Sequence, residues 1–251
     1  MKKPHSQSKK KNFPDYPVFD QRKLHNRRIK VIIPTLNEEK NIGDIINRLQ
    51  GIGLHDILVI DGNSRDNTAE FAHKFGAKIL IQNGHGKGSG LREAFEKVLD
   101  ADVIVMIDAD GSMAPEELPS FIDMLDSGAD IVKGSRLLHP GNSDDFTAVR
   151  RIGNKILTGV TNFLFLTKYT DLCYGYMVFK KETLEKLSIL LTGNEFEIET
   201  EICIKAKTLG LKVFEIPSYE HSRCHGGSNL RTFKDGLSIL KMILTEFFRG
   251  N

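Results

Sequence analysis

VIVMIDADGS, residues 103–112, is a run of apolar β-formers that ends in two aspartates one alanine apart, Asp108 and Asp110. A strand apolar on both faces belongs inside a parallel sheet covered by helices on both sides. Ligands of open α/β sheets bind beyond the carboxyl ends of such strands, which is where Asp108 and Asp110 fall. Two carboxylates this close repel each other unless a cation lies between them. A hard divalent ion held by few carboxylates keeps coordination positions for phosphate oxygens, so the pair predicts a metal-bound diphosphate site. The competing reading is an acidic turn that caps the helix begun by APEELP, and the other motifs must decide between the two.

Outward from this strand, apolar runs alternate with helix-length segments. IKVIIP, DILVID, AKILIQ, VIVMID and ADIVKG are separated by 38–50, 66–75, 89–100 and 115–127. This alternation predicts an α/β fold with a mainly parallel, doubly wound sheet flanked by helices. Asn37, Ser64 or Asp66, and Pro115 with Glu116 and Glu117 mark helix starts. After residue 135 the alternation breaks. LLHPGNSDDF leads to a helix near 150–166, a strand near 175–180, a helix near 197–209, the strand KVFEIP, a Gly-rich loop 221–230 and a final helix.

The chain has 251 residues and a formal charge of +2, from 35 basic and 33 acidic side chains, too small an excess to argue for nucleic acid. Three segments are expected: a basic tail over 1–28, one catalytic domain over 29–230, and an amphipathic helix over 231–251. In the tail, Lys2, Lys3, Lys9, Lys10, Lys11, Arg22, Lys23, Arg27 and Arg28 face only Asp15 and Asp20. Such a tail is either solvated or holds an anionic membrane surface at roughly 1 kcal/mol per well-placed cation. It lacks the apolar segment of a secretory signal. No window of about 20 apolar residues exists to span a bilayer. ILTGVTNFLFL (156–166) is strongly apolar, and Phe233, Leu237, Leu240, Leu244 and Phe247 mark one helix face, widened by Ile239, Ile243 and Phe248. That helix either packs on the domain or lies at a membrane interface with Lys241 and Arg249 at its polar edge. Cys173, Cys203 and Cys224, odd in number, point to a reducing compartment. His221, Cys224 and His225 lie close together, but no second ligand pair follows at zinc-site spacing.

Three loops leave three strands on one edge. IPTLNEEKNI offers Pro34, Thr35, Asn37 and Glu38; IDGNSRDNTAE offers Asp61, Asp66 and Thr68; the third holds Asp108 and Asp110. Carboxylates clustered there repel unless a cation or a nucleotide's polar groups intervene. NGHGKGSG (83–90) is not a Walker loop, because Gly88 follows Lys87, yet Lys87 near a helix N-terminus can meet an anion.

VIIPTLNEEKNI, VIDGNSRDNT, GKG, MIDADGSMAPEELP and KGSR, in this order, resemble the family-2 inverting glycosyltransferases of the GT-A fold, above all the dolichyl-phosphate mannosyltransferase-like branch. The resemblance covers roughly residues 29–235. It implies that Pro34, Thr35, Glu38 and Asp61 contact the nucleotide, and that Asp108 and Asp110 engage Mg2+ or Mn2+ and the donor diphosphate. It places Arg136, and Arg150 and Arg151 of RRIGNK, at the acceptor phosphate. TDLCYGYMVFKKETLE resembles the segment bordering the acceptor, EFEIETEI the FEIE helix, and EHSRCHGGSNL the mobile R-x-x-G-x-S-K loop that closes over the diphosphate, matched here by Arg223 and Ser228. Two positions depart: Asn229 stands for the family's lysine, a charge Arg231 or Lys234 could replace, and Ser112 stands for a glutamine.

The expected activity is metal-dependent, inverting transfer of a hexose-type sugar from a UDP- or GDP-sugar to a polyisoprenyl phosphate at the cytoplasmic membrane face. Membrane contact would be peripheral, with room for a partner subunit as anchor. A phosphate acceptor is already an anion and needs positioning by arginines, whereas a hydroxyl acceptor needs a general base. The first alternative is therefore a hydroxyl acceptor with Asp171, Glu197 or Glu199 as base. A second is a nucleotidyltransferase releasing pyrophosphate, against which stands the lack of a Gly-rich, basic loop after the first strand.

Overall fold

In the computed structural model residues 27–250 are described. The basic segment 1–26, and with it most of the expected tail, lies outside them; Arg27 and Arg28 are tied to Asp126 and Asp102. Strands β1 (Ile29–Thr35), β2 (Ile57–Asp61), β3 (Lys78–Ile81) and β4 (Val103–Met106) alternate with helices α1 (Ile42–Gly51), α2 (Thr68–Lys74) and α3 (Lys87–Lys97). A 3-10 turn at Pro115–Glu117 then feeds α4 (Leu118–Asp126), followed by β5 (Ile131–Ser135), the short β6 (Asn142–Ser143) and α5 (Ala148–Phe165). The chain continues through β7 (Met177–Lys180), α6 (Lys181–Ser188), α7 (Ile198–Thr208), β8 (Val213–Pro217), β9 (Tyr219–Glu220) and α8 (Thr232–Gly250).

Seven strands form one sheet in the order β3-β2-β1-β4-β7-β5-β8. All neighbours are parallel except β7, which runs antiparallel to both β4 and β5. The expected mainly parallel sheet is present, with one reversed strand in its interior. Burial explains why the central strands read as unbroken apolar runs. Val31, Ile33, Val103 and Val105 enter the core on one face, while Ile32, Ile104 and Met106 enter that on the other. From β1 the chain winds outward to β2 and β3, then returns to β4 on the other side of β1. The loops after β1 and β4 thus flank a topological switch point, where open α/β sheets bind ligands.

The helix α1 begins at Ile42, four residues later than Glu38 had marked. Asn37 adopts a left-handed backbone (φ 57°) and its Oδ1 accepts the Arg65 N–H at 2.8 Å, so residues 36–40 bind the next loop instead of starting a helix. The final helix packs by one edge of its wide apolar arc. Ile239 and Ile243, at one margin of the expected face, are buried where α8 packs on α5 and α7, and Phe233 and Leu237 at the other are 80% and 68% exposed.

Helix α3 approaches the segment before α7 closely enough to require glycine. A Cβ on Gly88 would lie 2.5 Å from the Gly193 carbonyl oxygen and 2.9 Å from the Asn194 carbonyl carbon, both backbone atoms that cannot swing aside. Gly→Ala inside a helix ordinarily stabilises by up to about 1 kcal/mol. Gly88→Ala is expected to reverse that sign and cost about 1–3 kcal/mol through overpacking, read as a lower thermal midpoint.

Candidate functional site

The first loop is held by the second. The Asn37 N–H donates to Ser64 Oγ at 2.9 Å and the Glu38 N–H to Thr68 Oγ1 at 2.8 Å, while Asp66 caps Thr68. The Glu38 side chain is thereby fixed, with Asn41 Nδ2 donating to its Oε2 at 2.6 Å. Asp61 lies beneath, 3% exposed, its carboxylate accepting the Ser64 N–H at 2.9 Å.

Both aspartates of the central motif hold cations from other parts of the chain. Asp108 Oδ1 accepts from Lys87 Nζ at 2.7 Å, and the same ammonium reaches Glu199 Oε1 at 2.8 Å. Burial alone would lower the Lys87 pKa, but Asp108 and Glu199 outweigh it and raise it above its ordinary value. Asp110 Oδ1 accepts the Ser112 N–H at 2.9 Å, and Asp110 Oδ2 pairs with Arg223 Nη2 at 2.7 Å. Arg223 Nη1 also lies 3.4 Å from Glu38 Oε1. Burial raises the Glu38 pKa, with Asp110 adding to it and Asn41 and Arg223 holding it back.

Loop 221–230 lies across these residues. The His221 N–H donates to the Ser112 carbonyl at 2.8 Å, Asn41 Nδ2 to the His225 carbonyl at 3.1 Å, and Asn229 Nδ2 to the Leu36 carbonyl at 3.5 Å. Asn229 therefore bridges to the first loop.

At the other end sits Arg136. Its Nε and Nη2 donate to the two oxygens of Asp171 at 2.7 and 3.0 Å, and Nη1 to Glu220 at 3.1 Å. The guanidinium lies 3.9 Å from the centroid of Phe146 and 4.6 Å from that of Tyr174. Burial would raise the Asp171 carboxyl, yet Arg136 holds it below the usual range; Glu220, pushed up by burial and only partly held back by Arg136, stays above it. Arg150 is more open, with Thr232 Oγ1 at 3.4 Å and Asp145 at 3.5 Å.

A cavity of about 520 Å³ joins the two ends. Pro34, Thr35, Glu38, Lys87, Asp108, Asp110, Arg136, Arg150, Arg223 and Ser228 all line it. Asp61 and Arg151 are outside its lining, Arg151 5.6 Å from the Phe146 centroid. Of the two substitutes considered for the missing lysine charge, Arg231 lines the cavity and Lys234 does not. Glu220, Phe146 and Glu195 also line it; they stand in EHSRCHGGSNL, LLHPGNSDDF and EFEIETEI, segments legible in the sequence, but nothing in those segments singles them out for a role. Among the described residues no group of three or more His, Cys, Asp or Glu side chains could hold a metal by itself. Asp108 and Asp110 nevertheless offer hard oxygens, and Asp110 already shares one cation with Glu38, so the donor set suits a divalent ion completed by phosphate oxygens.

The fold places the chain in a structural class first. It superposes on glucosyl-3-phosphoglycerate synthase from Mycobacterium tuberculosis, solved with Mn2+, uridine diphosphate and glucosyl-3-phosphoglycerate, with a TM-score of 0.72 at 20% identity, covering 90% of this chain and 82% of that one. This is the GT-A arrangement of a mainly parallel sheet flanked by helices. Residues 30–188 match the family described as Glycosyl transferase family 2, and the chain belongs to that family. It is 34% identical over 222 residues to glycosyltransferase AglJ of Haloferax volcanii, covering 87% of this chain and 70% of AglJ. It is 29% identical to a UDP-N-acetylglucosamine–dolichyl-phosphate N-acetylglucosaminyltransferase of Methanococcus voltae (84% and 94% covered). It is 31% identical to a dolichol-phosphate mannosyltransferase of Pyrococcus furiosus, of which it spans 59% of the length while 81% of this chain is covered. The chain is thus a glycosyltransferase of the dolichyl-phosphate mannosyltransferase-like branch, which removes the nucleotidyltransferase reading.

Proposed function

We propose that the enzyme transfers a hexose-type sugar from a UDP- or GDP-sugar to a polyisoprenyl phosphate, with inversion. The observation that carries the acceptor is the state of the three carboxylates first considered as base for a hydroxyl acceptor, Asp171, Glu197 and Glu199. Asp171 is fully buried against Arg136, Glu199 is bound to Lys87, and Glu197 Oε1 accepts the N–H groups of Asn194 and Glu195. A base must reach the proton it takes, and these three are occupied. A lipid phosphate brings its own negative charge and needs only cations to place it. Arg150 and Arg231 at the cavity wall supply them, with Arg136 behind.

In this reading Pro34, Thr35 and Glu38 border the nucleotide, and Asp61 acts from below by fixing the turn. Asp108 and Asp110 would hold Mg2+ or Mn2+, which neutralises charge on the departing diphosphate. Arg223 and Ser228 supply the protein's own donors to the same diphosphate. Lys87 acts through Asp108 and Glu199, and the carboxylates of its own chain are the anions it meets.

The relatives' acceptors and two exposed apolar rows support peripheral membrane contact. Ile152, Ile156 and Phe163 on α5, and Phe233, Leu237 and Phe248 on α8, are all more than half exposed. The two helices run side by side, Arg150 meeting Thr232 and Phe165 meeting Phe247. Helix α5 carries no acidic residue, and both acids of α8, Asp235 and Glu246, are buried, so exposed Lys155, Lys234, Lys241 and Arg249 dominate the outward charge. Apolar rows with cationic flanks fit an anionic lipid interface. No described helix is long and apolar enough to cross a membrane.

Glu195 keeps the hydroxyl-acceptor alternative open to a sharp test, because it lines the cavity and pairs with no cation among the described residues. Glu195→Gln is expected to leave turnover within a few-fold. A loss of about 10²-fold or more, the scale of general-base catalysis, would favour a hydroxyl acceptor instead. The acceptor class itself is tested by supplying polyprenol and polyprenyl phosphate in parallel: only the phosphate should accept sugar, and transfer to the free alcohol would overturn the proposal.

A further inference from the structure

We infer that Arg223 is an internal counter-ion which a divalent cation displaces from Asp110, so that metal binding unlatches loop 221–230 and frees the guanidinium for the donor diphosphate. This rests on the reading of Asp110 as a metal ligand. Without a cation, Asp110 and Glu38 would face each other as two poorly solvated carboxylates, 6% and 8% exposed. Arg223 resolves that conflict by bonding to Asp110 at 2.7 Å and lying 3.4 Å from Glu38. It occupies the charge role that a divalent ion bound at Asp110 would take over.

The consequence extends to the whole loop. Arg223 Nη1 also donates to the Gly227 carbonyl at 3.2 Å, which folds the loop around its own guanidinium. The remaining links to the first loop, Asn41 to His225 and Asn229 to Leu36, are hydrogen bonds of 3.1 and 3.5 Å, and the outer part of the loop is exposed. The Arg223 ion pairs tie the exposed outer part of the loop to the motifs by charge, while its base stays anchored through the His221 N–H to the Ser112 carbonyl at 2.8 Å. A divalent ion carries twice the charge of a guanidinium and prefers carboxylate oxygen, so the two compete for Asp110 Oδ2. Competition for one site makes the coupling reciprocal: what releases the loop binds metal more tightly, and metal releases the loop.

The test uses the full chain and Mn2+ alone, without nucleotide. Bound Mn2+ is read by the loss of the free-ion paramagnetic resonance signal, and loop release by the rate of tryptic cleavage after Arg223 and Arg231. Arg223→Gln is expected to bind Mn2+ about 5- to 150-fold more tightly than the parent, the usual range for coupled sites. Equal or weaker binding would overturn the inference while leaving the glycosyltransferase reading intact. In the parent protein, Mn2+ should speed cleavage after Arg223 and Arg231 several-fold, and an unchanged rate would also overturn it. Asp110→Asn should abolish the Mn2+ effect on cleavage. Parent Mn2+ binding that survives Asp110→Asn would remove both the metal role of Asp110 and this inference.

Discussion

Asp110→Asn should lower sugar transfer by about 10²–10³-fold, the loss seen when a single preorganised electrostatic contact to developing charge is removed. The substitution keeps the shape and the hydrogen bond from the Ser112 N–H, and deletes only the negative charge. Stability should move little, because Arg223 keeps Glu38 as a partner and the substitution removes one of two neighbouring buried carboxylates; a change within about 1 kcal/mol is a shift of no more than about 2–4 °C in thermal midpoint. The pairing of large activity loss with unchanged folding separates a metal ligand from a helix cap. Asp110 is the better choice for this test than Asp108, whose loss would also take a partner from the buried Lys87. Activity within a few-fold of the parent would return the motif to its structural reading.

Arg136→Met should be the most destabilising single change in the site. It leaves Asp171, fully buried, and Glu220, mostly buried, without their cation. Removing one partner of a buried pair costs about 3–5 kcal/mol, because the remaining charge stays desolvated. The pH dependence gives the sign. In the parent, Arg136 depresses the folded pKa of Asp171, so this pair stabilises above the unfolded value of about 3.9 and the contribution fades as pH falls below it. In Arg136→Met both carboxyls are raised by burial, so the variant is least stable at neutral pH and gains as they protonate. The stability gap should therefore narrow as pH drops from about 7 towards about 4, measured by denaturant unfolding. Adding Asp171→Asn should recover part of the loss at pH 7. A gap independent of pH would mean that the cost is lost packing on Phe146 and Tyr174.

The central strands and the three acidic loops were legible because burial on both faces writes a plain apolar run and the turn residues follow directly. Other parts leave no such trace. The direction of β7 is not encoded in MVFK; it follows from the path of the chain through α5, and the reversed strand fits because its side chains are as apolar as its parallel neighbours. Helix α6 did carry a signal, Thr183, Leu184 and Leu187 at helical spacing, and went unassigned beside the glycine-containing segment before it. On α8 the periodicity was real, but it could not say which edge of a wide apolar arc meets the core. Packing against α5 and α7 selected Ile239 and Ile243. In the site, residue types were readable and their partners were not. Arg136 was expected to face a phosphate, and its pairing with Asp171 and Glu220 joins positions 35 and 84 residues away. Lys87 likewise meets carboxylates brought together only by folding.

The central claim is transfer of sugar to a lipid phosphate. Its most direct measurement incubates the full chain with radiolabelled UDP- and GDP-sugars, Mn2+ and polyprenyl phosphate, then extracts into organic solvent. The account predicts organic-phase label that depends on the lipid phosphate and is released by mild acid, as expected of a sugar joined through a phosphate. Label confined to water-soluble products, or organic label stable to that acid, would contradict it.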